Sequence, residues 1–143
     1  MRFLAPLACF AAALLAPVMA EAAPVADAAT LSAVKSCAPA RPCNAKLPVR
    51  VVVVTMFEIG KDTGDKPGEF QLWKERRHLS ETLDFPQGWH NLAYDPETGV
   101  LAIVTGMGSI KSATAALALG LDDRLDLSKA YWLVAGIAGV DPE

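Results

Sequence analysis

The spacing of apolar residues changes several times along this chain, and each change marks an element. Val49-Arg50-Val51-Val52-Val53-Val54-Thr55 is β-branched almost throughout, the composition of a parallel strand covered on both faces, so it is expected in the centre of a sheet. Residues 56–70 follow with Gly60, Gly64, Pro67 and Gly68 among charges, which is loop composition at the carboxyl end of a strand, where ligands of α/β sheets sit. Residues 69–83 read as a helix ending before Pro86, residues 89–95 as a short strand, and Asp95-Pro96-Glu97-Thr98-Gly99 as a turn.

The best-defined unit comes next. Val100-Leu101-Ala102-Ile103-Val104 is an apolar run, Thr105-Gly106-Met107-Gly108 a glycine turn, residues 109–119 a helix, and Tyr131-Trp132-Leu133-Val134-Ala135 a second apolar run. This is a βαβ pattern, whose flanking strands a crossover makes parallel. Ile110, Ala113, Leu117 and Leu121 recur every three or four residues, which gives the helix an expected face for the sheet, and Gly120 is placed to stop it. The fold class expected is therefore α/β with a mostly parallel sheet. No internal repeat appears.

Two segments ahead of the first strand read differently. Met1-Arg2 is a short positive start, residues 3–15 are apolar, and Val18-Met19-Ala20 ends in small residues, the pattern of a secretory signal peptide over residues 1–20. Cleavage after Ala20 is preferred to cleavage after Ala22. The alternative is an uncleaved anchor, but Pro6 and Pro17 interrupt a run shorter than the ~20 residues a spanning helix needs. Residues 21–47 are rich in alanine and proline without a sustained period, and are expected to be a linker before a domain over residues 48–143.

Composition then narrows the partners. At 143 residues, 52% hydrophobic and 20% charged, the chain has the make-up of one ordinary globular domain. Of its 13 basic residues Arg2 goes with the leader, leaving 12 against 16 acidic ones. That balance offers no footprint for polymeric nucleic acid and favours a small ligand. Cys9 is lost in the same way, and Cys37 and Cys43 remain as an even pair in a chain bound for an oxidising compartment. A disulfide is expected, with two free thiols or a metal site as alternatives. Only His78 and His90 are available to complete a metal set, neither at close ligand spacing, so no metal is expected.

The chemistry is concentrated at glycines. Gly106-Met107-Gly108 lets the backbone approach a ligand, and the amides opening the next helix can hold an anion or a hydroxyl. The turn misses the dinucleotide fingerprint, because its third glycine position is Lys111, and no glycine precedes Lys111-Ser112 as a phosphate loop requires. Nicotinamide and ATP are excluded on that ground, and a ligand-free strand-to-helix turn stays open. Ala135-Gly136-Ile137-Ala138-Gly139-Val140 ends a strand with small residues, where a flat ring can lie against backbone or a strand simply meets a loop. No serine, cysteine or lysine is paired with a base as a covalent nucleophile would be. Glu58, Asp62, Asp65, Glu69 and Asp141 each read first as solvated carboxylates.

Thr55-Met56-Phe57-Glu58-Ile59-Gly60, Pro67-Gly68-Glu69-Phe70, Val104-Thr105-Gly106-Met107-Gly108 and Tyr131 through Asp141-Pro142 occur in the order of the motifs of purine nucleoside permeases, which residues 48–143 resemble. The two glycine-rich turns are also similar to those of the nucleoside phosphorylases and nucleosidases. The resemblance implies a nucleoside phosphorylase-like fold and a purine nucleoside ligand. It implies a ribose or phosphate cradle at Gly106, Met107 and Gly108 with Thr105 and Ser109 beside it, backbone amides at Gly60 for an anion, and a base-side wall at Ala138 and Gly139. The basic residue that binds phosphate in the phosphorylases has no clear match.

The function so implied is binding and transport of a purine nucleoside by a soluble, exported, periplasmic or secreted protein without a cofactor, handing its cargo to a membrane carrier. An oligomer of identical chains is compatible with it. The alternative is a phosphorylase or hydrolase cleaving the N-glycosidic bond, with phosphate as co-substrate in the first case. Family members continue well beyond the position of Glu143, so the resemblance implies an N-terminal part, incomplete at the C-terminus; a third reading is therefore a truncated product without a complete site.

Overall fold

The computed structural model describes residues 23–39 and 41–136. The expected signal peptide over residues 1–20, and Ala138 and Gly139, lie outside the described residues. Within them the elements run α1 (Ala28–Ser36), β1 (Leu47–Pro48), β2 (Val51–Thr55), α2 (Gln71–Arg76), β3 (Glu81–Leu83), β4 (Leu92–Asp95), β5 (Val100–Val104), α3 (Ser109–Gly120), β6 (Leu125–Asp126) and β7 (Tyr131–Val134). The main sheet has the order β3-β4-β5-β2-β7, and β1 and β6 form a separate parallel pair.

The protein is α/β, but its sheet is mixed rather than mostly parallel. β2 pairs in parallel with β5 and β7, whereas β3–β4 and β4–β5 are antiparallel. The cause is local. A parallel partner needs a long crossover, while the short connections leading from β3 to β4 and from β4 to β5 reverse the chain. The expected βαβ unit is present as β5–α3–β7, with β2 lying between its two strands.

Two cores cover the two faces of the sheet. On one, Val52, Val54, Tyr94, Leu101 and Ile103 pack with Val34 of α1 and Ala115 and Leu119 of α3. On the other, Val53, Ala93, Ala102 and Val104 pack with Phe70 and Leu79, joined by Trp73 of α2. The alternation within Val52-Val53-Val54 shows why nearly every position of β2 is apolar: successive side chains enter opposite cores.

Several expectations are corrected. The helix expected over residues 69–83 stops at Arg76, because Arg77 caps it and His78 turns at φ 51°, after which residues 81–83 pair with β4. The strand expected over residues 89–95 begins at Leu92. The segment read as linker holds α1, started by Asp27, whose carboxylate accepts the Thr30 amide at 2.7 Å, and anchored by the fully buried Val34. Cys37 and Cys43 form a disulfide just beyond α1, with Cα atoms 5.8 Å apart.

The largest correction concerns α3. Ile110, Ala113, Leu117 and Leu121 face outward, Ile110 being 83% and Leu121 71% exposed, while Ala115 and Leu119 are buried against the sheet. The helix carries two apolar stripes, and the one bearing Ala115 and Leu119 is buried in the core. Periodicity alone does not say which stripe turns inward.

Candidate functional site

Register places four segments at one end of the main sheet. β2, β5 and β7 end there at Thr55, Val104 and Val134, while β3 ends and β4 begins there, at Leu83 and Leu92. The loops leaving that edge are residues 56–70, 84–91, 105–108 and 135–136. This is the carboxyl edge of the parallel strands, where a ligand crevice opens in α/β sheets.

The glycine turn sits in the middle of it. Gly106 and Gly108 have φ of 83° and 93°, values that side chains beyond glycine adopt at a cost, so the turn depends on both. Gly108 caps α3 without any side-chain hydrogen bond. The first amides of the helix are therefore open to an outside acceptor. Met107 is 69% exposed and Ser109 is exposed, so both face solvent at the turn.

Thr105 does something else. It is buried, and its hydroxyl lies 3.2 Å from the Thr55 carbonyl, 3.3 Å from the Gly106 carbonyl and 3.2 Å from the Ser112 hydroxyl. Ser112 donates in turn to the Gly106 carbonyl at 3.1 Å. These bonds hold the turn onto β2 from below and leave Met107, Gly108 and Ser109 as its open side.

The first loop is organised by carboxylates that the sequence presented as solvated charges. Glu58 accepts the amides of Ile59, at 2.7 Å, and of Gly68 and Gln71. Glu69 accepts the Met56 amide at 2.7 Å, and a Cβ on Gly136 would fall 2.4 Å from the same Glu69 oxygen and 3.0 Å from the Met56 nitrogen. Gly136 thus lets the chain after β7 lie against the first loop. Gly60 is in a different turn, with φ 75°; the Asp65 carboxylate closes it by accepting the Lys61 amide at 2.9 Å. The amide after Gly60 is already taken by a negative group.

Residues 84–91 bring Trp89 and His90, which the sequence suggested only as part of a short strand and as a discounted metal ligand. Trp89 is 59% exposed, and the Lys111 ammonium stands 4.1 Å from its ring centre. The Lys111 stem also flanks Gly106, 3.2 Å from where a Cβ would sit, so it links the aromatic ring to the glycine turn. His90 Nδ1 lies 2.8 Å from the Asp62 carboxylate, whose other oxygen is 3.4 Å from Lys74 Nζ. A carboxylate on one ring nitrogen fixes the imidazole's orientation and leaves the other nitrogen for proton transfer or hydrogen bonding. The three residues are 12 to 28 positions apart in the chain, so only the fold reveals the cluster.

Among the described residues, no group of three or more His, Cys, Asp or Glu side chains is arranged to hold a metal ion. No helix there is long and apolar enough to cross a membrane. A cleft lined by Arg76, Arg77, His78 and the turn after β4 does not coincide with the glycine turn; it lies at the other end of the sheet.

No curated protein and no solved structure matches the chain. The family model for purine nucleoside permease matches residues 48–143, from β1 through the glycine turn and β7, which is more than half of the sequence. On that match, the chain belongs to the purine nucleoside permease family.

Proposed function

We propose that this chain is an exported, soluble component of nucleoside uptake that binds a purine nucleoside at the carboxyl edge of β5 and β2 and passes it to a membrane carrier. The observation that carries the reading is the open start of α3 behind two positive-φ glycines. Backbone amides there are positioned to meet ribose hydroxyls or an anion, while Met107 and Trp89 offer apolar surface beside them. Ala138 and Gly139 supply the base side in this reading, as the resemblance implies. The family match supports the nucleoside as ligand.

Calorimetry of inosine and adenosine binding to the full chain tests it, with phosphate present and absent. Saturable binding is expected, and Gly108→Val, which puts a branched side chain at φ 93°, is expected to weaken it at least tenfold. A folded chain that binds neither nucleoside would sink the reading.

The His90–Asp62 pair favours cleavage of the N-glycosidic bond as the second reading, since an oriented imidazole is the common general acid or base. Release of free base, faster with phosphate and slowed at least tenfold by His90→Gln, is the outcome that distinguishes it from capture alone.

A further inference from the structure

At the end of the sheet opposite the glycine turn, a cleft of about 590 Å³ is lined by Arg76, Arg77, His78 and Ser80 on one side and by the turn after β4 on the other. β5 begins there at Val100 and β4 ends there at Asp95. A strand length, roughly 13 Å at ~3.3 Å per residue, separates it from the edge where the nucleoside is placed. It is a separate site.

Its lining carries two exposed guanidiniums, Arg76 and Arg77, and two carboxylates, Asp95 and Glu97, so binding depends on which of these charges are free to meet a ligand. Among the described residues neither Arg76 nor Arg77 has an acidic partner within 4.0 Å, although four of the other cations on the chain do. Asp95 is not available to them. It is buried, and its oxygens accept the Glu97 amide at 2.9 Å and the Thr98 hydroxyl. Glu97 lines the same cleft yet forms no ion pair with either arginine. Cations are ordinary at a helix C-terminus, where the dipole favours them, and that explains Lys74 and Arg76. It does not explain why Arg77 and His78, beyond the last turn, border the same hollow. The positive φ of His78 reverses the chain there, so that residues 76 to 80 converge on one space instead of spreading around a helix.

We propose that this cleft binds the oxyanion of a small phosphate-bearing molecule, with the guanidinium groups of Arg76 and Arg77 as its charge partners and Ser80 as a hydroxyl donor. A guanidinium presents parallel N–H groups that match two oxygens of one phosphate, and two adjacent arginines offset the charge of a dianion. Glu97, which lines the same cleft, repels any bound anion and works against the two guanidiniums, so the affinity expected is modest.

The test is a titration of the isotopically labelled full chain with inorganic phosphate, at ionic strength held constant with chloride, following backbone amide signals. The expected result is a saturable shift confined to residues 76–80 and to residues 97 and 98. Arg76→Gln with Arg77→Gln should weaken it at least tenfold, and lysine at both positions should restore part of it. A nucleoside 5′-monophosphate titrated in parallel distinguishes the source: equal affinity identifies a bare phosphate site, and tighter binding shows that the walls also hold the attached group. Shifts that chloride reproduces, that centre on residues 106–111 instead, or that survive in the double glutamine variant would overturn the proposal. Because the wild-type shift map is itself a readout, a variant that failed to fold would not shield the proposal from refutation.

Discussion

Glu58 shows how one side chain can shape a loop. Its carboxylate gathers the amides of Ile59, Gly68 and Gln71, closing residues 58–71 into a compact arc above β2. Three backbone donors lose their acceptor in Glu58→Ala, at about 1.5–3 kcal/mol for a hydrogen bond to a charged group. We expect a stability loss of about 2 kcal/mol in urea unfolding, with faster hydrogen exchange at residues 59, 68 and 71; unchanged exchange would mean that the loop does not depend on this carboxylate. Tyr94 gives a pH signature. Burial, with a smaller push from Asp95 against a pull from Arg50, raises its hydroxyl from 10.0 to about 12. The folded state therefore holds this proton more tightly than the unfolded chain does. The associated stability is fully present below pH 10 and is lost as pH rises through 12. Tyr94→Phe should flatten the fall in stability between pH 10 and 12, at the cost of the 2.8 Å bond to the Pro48 carbonyl. An identical slope in the variant would remove Tyr94 as its source.

At the scale of elements, α3 separates pattern from placement. Its two apolar stripes are equivalent to a periodicity argument, but Leu119 is fully buried and Leu117 is exposed. Leu119→Ala should cost about 2–5 kcal/mol, while Leu117→Ala should stay within about 0.5 kcal/mol. Reversed magnitudes would mean that the helix is rotated on the sheet. α1 is a parallel case: Val34 is its buried anchor in the core that also holds Leu83 and Leu119. Val34→Asp should therefore destabilise the sheet domain itself by several kcal/mol, by burying an unpaired charge. A segment that served only as a linker would tolerate it, and the midpoint of urea unfolding decides between the two.

For the whole molecule, the notable feature is the outer edge of the sheet. β7 pairs only with β2 among the described strands, and all four of its residues, Tyr131, Trp132, Leu133 and Val134, are exposed. An uncharged, apolar edge strand presents unpaired backbone groups together with hydrophobic side chains, which is the ordinary route to association between chains. The outward stripe of α3 adds to that surface. We expect the chain to bind a hydrophobic fluorescent dye in its folded state and to sediment with a concentration-dependent mass. Trp132→Lys should reduce both by placing a charge on the edge, and a monodisperse wild-type chain that leaves the dye dark would show that this edge is covered in solution.

The sequence by itself determined the α/β class, the strand before the first loop, the glycine turn after β5 and the helix that follows it. These features rest on runs of β-branched residues, on glycine's access to positive φ and on three- and four-residue spacing, all of which act over a few neighbours. The motif order that marks the family was legible for the same reason. Only the tertiary structure decided that residues 81–83 pair with β4 as a strand, that β2 lies between β5 and β7, and which stripe of α3 faces the sheet. It alone brought Lys111 over Trp89 and Asp62 against His90. Those outcomes depend on partners distant in the chain, and short polar or ambiguous segments take whichever structure their neighbours in space can hydrogen-bond and bury.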